Sequence, residues 1–347
     1  MEFRKTYSLD DILIVPRYSD LTTRKNCDIS LGNYKLPIMM SAMDTLSNPK
    51  MIEMIYNHGG APTIHRYFKS ASEQLDVIKK ISSHKELLLH TWFAVGSVQK
   101  YKDWIKELFD NGVTNFIVDM AHGDSKSCVE TVEYIDGLNW TGINIIAGNV
   151  VTKAGFERLQ KAGAVGIRVG IGSGSICSTR INCGIGIPQF TAIMDCAERK
   201  DHNTILIADG GIKNTGDMVK AIAAGADLCM CGKLLASTNL ANGLSYDKNK
   251  EIISDFDLDN ICYKGYRGMA SKEARQSILE YASVEGVSGL VKYTGTTEQL
   301  LIDIKLRLQS AQSYLGVTNW NDFRKYAKFQ IITDSSYKES STNSIIQ

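Results

Sequence analysis

A chain of 347 residues with 44% hydrophobic content, 39 lysines and arginines against 38 aspartates and glutamates, and a net charge of +1 can fill one large core or two ordinary ones. That balance offers no electrostatic footprint for nucleic acid or an anionic membrane surface, and no apolar run reaches the length of a bilayer span. The eight cysteines, at 27, 128, 177, 183, 196, 229, 231 and 262, include no CxxC pair, and the charged opening MEFRKTYSLDD lacks the apolar centre of a secretory signal, so reduced thiols and a cytoplasmic location are expected.

Short apolar runs then recur in chain order: LPIMMSA (36–42), GAPTIH (60–65), WFAVGSV (92–98), NFIVDMA (115–121), NIIAGNV (144–150), VGIRVGI (165–171), TILIADG (204–210) and ADLCMCG (226–232). Each is too short for a typical helix, and such continuous runs suit strands buried on both faces of a parallel sheet. Helical segments lie between them. NPKMIEMIYNHGG carries an Asn48 cap and Pro49 at the first helical position, followed by SEQLDVIKKISSHKE, YKDWIKELFDNG, CVETVEYIDGLN, TKAGFERLQKAG, IPQFTAIMDCAERK and NTGDMVKAIAAGA; the last long helix is predicted over 296–316.

Eight strands alternating with helices is the count that closes a (β/α)8 TIM barrel, whereas a doubly wound open sheet usually has fewer strands. A single catalytic barrel over 1–332 with no inserted domain is expected, followed by a polar, mobile tail over 333–347. Two connections are unusually long, 172–187 after the sixth run and 233–295 after the eighth, and long connections tend to carry function or disorder.

In such a barrel the chemistry lies at the C-terminal ends of the strands. Those ends are polar or small here: Asp44 and Thr45, His65 and Arg66, Gly96, Asp119 with His122, Gly148 and Asn149, Asp209-Gly210-Gly211, and Gly232. The loop GIGSGSICSTR (170–180) sets Cys177 among glycines and hydroxyls, where a thiol near backbone amides and Arg180 could act as a nucleophile; a buried structural thiol is the competing reading. For Cys128, Cys196, Cys229 and Cys231, which fall in helix or strand patterns, the buried role is expected. Gly174-Ser175, Asp209-Gly210-Gly211 and Gly232 end three neighbouring runs and could form a phosphate site, or simply turn the chain. Asp119 and Asp209 could recognise ribose or cap helices. No HExxH or clustered His/Cys spacing points to a catalytic metal. His65 and His122 could face a cofactor or close a hydrogen-bond network, and Glu285 in SVEGVSG could equally be a solvated loop residue.

The ordered set GIGSGSICSTR, SAMDT, IHRY, DMAHGDS, AGNVVT, IADGGI and YRGMAS resembles the inosine-monophosphate dehydrogenase / GMP reductase family across roughly residues 6–320. The resemblance implies the (β/α)8 fold, a homotetramer, a nicotinamide cofactor and a purine nucleotide bonded through C2 to a cysteine. Carried over by position, Cys177 resembles the nucleophile, and Thr179 and Glu285 the pair that handles the proton of departing ammonia in the reductases. Ser175, Gly211, Gly232 and Tyr266 match phosphate contacts, Asp209 the substrate ribose contact, and Gly210, Gly268 and Met269 further substrate positions. Asp119 matches the cofactor-ribose residue, with His65, Arg66, Ala121 and His122 around the cofactor. Gly172, Gly174 and Cys177 match carbonyls that hold a potassium ion.

Both branches of the family pass through the same thioimidate. The dehydrogenases carry an Arg-Tyr pair on a mobile flap as water activator; here Arg275 is followed by Gln276. That departure, the missing insertion and the forms of MAHGDS and IHRY imply a reductase using NADPH or NADH on GMP, with IMP oxidation by NAD as the alternative. Glu285-Gly286-Val287 is closer to the dehydrogenase form, and Lys233 stands where a small residue is expected after Gly232.

Overall fold

The computed structural model describes residues 3–81, 84–269 and 286–340. Eight parallel strands match the eight apolar runs: β1 (Ile38–Met40), β2 (Thr63–Ile64), β3 (Trp92–Val95), β4 (Asn115–Asp119), β5 (Asn144–Val150), β6 (Gly166–Val169), β7 (Ile205–Asp209) and β8 (Leu228–Cys231). They pair in sequence order, with β8 against β1. The ring closes where Met40 N–H donates to the Ala61 carbonyl at 2.9 Å and Ala61 N–H to Ile38 at 2.8 Å. The fold is the expected (β/α)8 barrel.

Both faces of the strands are buried, which is why the runs read as unbroken apolar stretches. Along β4, Ile117 points into the barrel with Met39, Ala94, Ile146, Ile207 and Met230, while Phe116 and Val118 face the helical layer. The outer helices start at side-chain caps written in the sequence. Asn48 accepts from Met51 N–H at 3.0 Å to begin α1 (Pro49–Asn57), and Ser70 from Glu73 N–H to begin α2 (Ala71–Lys79). Thr152 opens α5 (Lys153–Lys161) and Asn214 opens α7 (Thr215–Ala223), after α3 (Val98–Asp110), α4 (Lys126–Gly137) and α6 (Gln189–Ala197). Each such cap contributes about 1 kcal/mol. The last helix of the ring, α8, runs Thr297–Tyr314, inside the span expected for it.

Three features refine the sequence reading. The segment SEQLDVIKKISSHKE is divided between α2 and a separate helix, His84–His90. The connection 233–295 is structured where it is described: Ser245–Tyr246, Ile252–Ile253, Tyr263–Arg267 and Ser288–Lys292 form an antiparallel sheet, with Ser245–Tyr246 between Ile252–Ile253 and Tyr263–Arg267. Its anchor is Lys264, fully buried, whose ammonium donates to Ser245 Oγ and Asp255 Oδ1, both at 3.0 Å. Near the chain ends, Ile12–Ile14 pairs antiparallel with Phe329–Ile331, and a short helix, Asp334–Glu339, falls within the stretch expected as a tail. Among the described residues no helix is long and apolar enough to cross a membrane.

Candidate active site

A cavity of about 480 Å³ opens at the C-terminal ends of the strands. The loops after β6, β7 and β8 meet there, as the positions of the glycine-rich motifs require. Cys177, Ser175, Gly172 and Gly174 line it from the loop after β6, Asp209, Gly210 and Gly211 from β7, and Gly232 from β8. The hairpin of Tyr263–Arg267 and Ser288–Lys292 adds Tyr266, Gly268 and Met269. Gly210 has φ +101, a conformation open to glycine, and a Cβ there would lie 2.3 Å from Ser173 Oγ.

Cys177 is half-buried, with its Sγ 3.1 Å from Thr179 Oγ1. Thr179 itself begins a short helix, Thr179–Cys183, that shortens the long connection after β6. Burial lowers the pKa of the Arg180 guanidinium against the electrostatic influence of nearby Cys177. The hairpin docks against the cysteine loop through backbone: Cys177 and Gly286 form an antiparallel bridge, and Val287 N–H donates to the Ile176 carbonyl at 3.1 Å. Glu285 lies outside the described residues, as do Arg275 and Gln276; its chain neighbour Gly286 borders the cavity.

Asp119 and Asp209 cap no helix. Those roles fall to Ser125 for α4 and Asn214 for α7. Instead one guanidinium joins them. Arg168 Nη1 donates to Asp119 Oδ1 at 2.6 Å and Nη2 to Asp209 Oδ2 at 2.8 Å. Asn149 Nδ2 donates to the same Asp209 oxygen at 2.7 Å, and Arg66 Nε to Asp119 Oδ2 at 3.3 Å. Burial pushes the Asp119 carboxyl up, but Arg168 and Arg66 outweigh it and hold it below the usual carboxylate range. Burial works against the charge of Arg168, yet Asp209 and Asp119 raise its pKa. Both carboxylates are fixed in direction by these donors, with lone pairs left to accept from hydroxyls.

The expected cofactor group separates into two parts. Asp119 lines the cavity and Arg66 is tied to it, whereas His65, Ala121 and His122 do not line it. His65 is 6% exposed, stacks on Phe68 at 4.2 Å, and accepts the Tyr67 N–H on Nδ1 at 3.0 Å. Burial pushes it down to about 4 from 6.5, against the pull of Asp44, so it is a neutral acceptor inside the wall. Ala121 and His122 are exposed. Cys128, Cys196, Cys229 and Cys231 are all buried, as their patterns predict, and burial raises each thiol, to about 12 for Cys128, Cys196 and Cys231.

Arg168 and Gln189 are site residues that the motif reading passes over, while Asn149, read there as a polar strand end, acts through its bond to Asp209. Arg168 leaves one trace, a cation in the middle of the run VGIRVGI. Gln189 leaves none: it opens α6, donates to the Val169 carbonyl at 2.7 Å and accepts from Ser173 Oγ at 2.8 Å, pinning the start of the cysteine loop to β6.

The profile described as "IMP dehydrogenase / GMP reductase domain" matches residues 6–343. The chain belongs to the IMP dehydrogenase / GMP reductase family. A protein of Aquifex aeolicus named inosine-5′-monophosphate dehydrogenase is 39% identical over 264 residues, 73% of this chain and 51% of that protein. One of the same name from Borreliella burgdorferi is 32% identical over 403 aligned positions, covering 97% of this chain and 96% of its own length. A third, from Nitrosopumilus maritimus, is 26% identical with both chains covered in full. This chain spans about half the length of the Aquifex relative, and the longer alignments exceed its 347 residues, so those relatives carry internal segments with no counterpart here. Members of the family are nicotinamide-dependent oxidoreductases of purine nucleotides.

Proposed function

We propose that the chain oxidises IMP to XMP with NAD, through a covalent bond between Cys177 and purine C2. The observation that carries this reading is the Cys177 thiol at the cavity wall, 3.1 Å from the Thr179 hydroxyl and ringed by the ends of β6, β7 and β8. The name shared by the relatives favours IMP as substrate and NAD as acceptor. Arg66 favours NAD as well: its guanidinium is occupied by Asp119 and lies over the Tyr67 ring, whereas a 2′-phosphate would have to draw it away.

In this reading the Cys177 thiolate attacks C2 of the bound purine; a bound oxidised nicotinamide would accept the hydride that leaves this carbon, and water would then displace the Cys177 sulfur to give the product and return the thiol. Splitting a difficult substitution into attack and release is the gain of covalent catalysis. Asp209 accepts from the substrate ribose and Asp119 from the cofactor ribose, both held by Arg168. Ser175, Gly211, Gly232 and Tyr266 surround the phosphate. Potassium at the carbonyls of Gly172, Gly174 and Cys177 belongs to the same proposal; the Gly174 carbonyl already accepts the Cys177 N–H at 3.1 Å and has one lone pair to offer. A homotetramer is expected on the same grounds, and sedimentation velocity tests it.

A second reading, reduction of GMP to IMP and ammonia with NADPH, is favoured by the sequence of the flap. Arg275 is followed by Gln276, so the Arg-Tyr water activator is missing and hydrolysis of the thioimidate lacks its usual base. Thr179 and Glu285 would then protonate the departing amine, a service worth about 10²–10⁴ in rate. Incubation with IMP plus NAD, and separately with GMP plus NADPH, followed by the reduced-nicotinamide absorbance, decides between them. Cys177→Ala should abolish turnover in either direction while nucleotide still binds; full activity in that variant would end the covalent mechanism.

A further inference from the structure

The charges around the cavity leave one cation without an assigned role. Three carboxylates line it, Asp10, Asp119 and Asp209, and four cations, Arg168, Arg180, Lys213 and Lys233. Arg168 is consumed by Asp119 and Asp209, and Lys213 donates to Asp10 at 2.5 Å. Arg180 donates a hydrogen bond to the Ile187 carbonyl and lies within electrostatic reach of Cys177. The Lys233 ammonium makes no hydrogen bond or ion pair to any of the described residues. It follows Gly232, where a Cβ would come within 2.5 Å of the Tyr266 hydroxyl, and that hydroxyl in turn interacts with Ser175. Four cations against three carboxylates leave the lining with a local positive excess, the exposed Lys233 ammonium is its unpaired member, and such an excess is stabilised by an anion.

We propose that Lys233 is a specificity-determining residue that binds the 5′-phosphate of the nucleotide as a charge partner. The proposal rests on the nucleotide reading of the cavity and extends it. Around the phosphate Ser175, Gly211, Gly232 and Tyr266 can offer only neutral donors; an ammonium adds a charge-assisted contact that selects a phosphorylated substrate over the bare nucleoside. Because a phosphomonoester gains its second charge near pH 6, the contribution of Lys233 grows as the ligand becomes dianionic.

Calorimetric titration of the whole chain with IMP, GMP and inosine, the last to millimolar concentration, tests this for the wild type, Lys233→Ala, Lys233→Gln and Lys233→Arg. Lys233→Ala and Lys233→Gln should weaken the bound nucleotide by about 10- to 100-fold at pH 7.5 and by much less below pH 5.5, with inosine affinity and melting temperature unchanged. Lys233→Arg should stay within a few-fold of wild type. Equal nucleotide affinity in wild type and Lys233→Ala overturns the role of Lys233 and leaves the nucleotide reading standing. A parallel loss of inosine binding, or of thermal stability, marks a merely structural lysine and also overturns it. Failure of the wild type to bind either nucleotide removes the nucleotide reading and this proposal together.

Discussion

A single guanidinium organises the centre of this site. Arg168 comes from the middle of a barrel strand and reaches carboxylates 49 and 41 residues away in sequence, at the ends of β4 and β7. Nothing local announces such a bridge, which is why Asp119 and Asp209 were legible as polar strand ends while the residue that aims them was not. Its replacement by Met should leave two half-buried carboxylates without the cation that joins them. Urea unfolding should then show a loss of about 3–5 kcal/mol, the usual consequence of deleting one partner of a buried ionic cluster; a loss below about 1 kcal/mol would show that the network is solvated and contributes little. His65 makes a second prediction at this scale. Between pH 6.5 and about 4 the unfolded chain carries a proton on this imidazole and the folded chain does not. Stability should therefore fall as pH drops through that window, by about 3 kcal/mol in full. In His65→Asn, which keeps an acceptor for the Tyr67 N–H, the slope of stability against pH should flatten by one proton; an unchanged slope would assign the effect to other groups.

Among the elements, the eight barrel strands could be read directly because burial on both faces writes an uninterrupted apolar run. The antiparallel sheet after β8 could not. Its strands are two to five residues long, and YKGYR and SGLVK carry too little apolar surface to stand out from a loop. Besides its backbone bridge to the cysteine loop, the hairpin is held over the cavity by contacts with a distant segment. Arg267 Nε donates to Asp44 Oδ2 at 2.7 Å, Met269 Sδ accepts the Asp44 N–H at 3.3 Å, and Tyr266 donates to Met43 Sδ at 3.6 Å. The SAMDT motif after β1 thus acts as the seat of this hairpin as much as a wall of the site. Since the Arg267 side chain is 42% exposed, its ion pair with Asp44 contributes at most about 1 kcal/mol to global stability. Arg267→Met should accordingly leave the melting temperature nearly unchanged while hydrogen exchange accelerates across 263–267 and 288–292 and nucleotide affinity drops several-fold. Equal acceleration throughout the barrel would show that the pair stabilises the whole fold instead of docking one element.

Over the whole molecule, the site depends on contacts between segments near opposite ends of the described chain. Ser8, Leu9 and Asp10 line the cavity, and the strand that follows them, Ile12–Ile14, is paired with Phe329–Ile331. Phe329 also packs edge-on against Phe190 of α6, with ring centroids 4.9 Å apart, and Val15 N–H and the Asp11 carbonyl bond to Lys328 and Ile332. The pairing joins residues more than 300 positions apart, so no local pattern could disclose it, although each strand alone is a short apolar stretch. Its consequence is that residues 329–332 position a wall of the cavity without touching it. A chain ending after Ile332 should keep the pairing and bind nucleotide within a few-fold of the full chain. One ending after Ala327 should lose the partner of Ile12–Ile14, release the Ser8–Asp10 wall, and bind at least ten-fold more weakly while the circular dichroism of the barrel is retained. Equal affinity in the two truncations would mean that the N-terminal wall is held by its contacts with α6 and α7 alone, through bonds such as Thr191 N–H to the Tyr7 carbonyl at 3.1 Å and Lys220 Nζ to the Leu9 carbonyl at 2.7 Å.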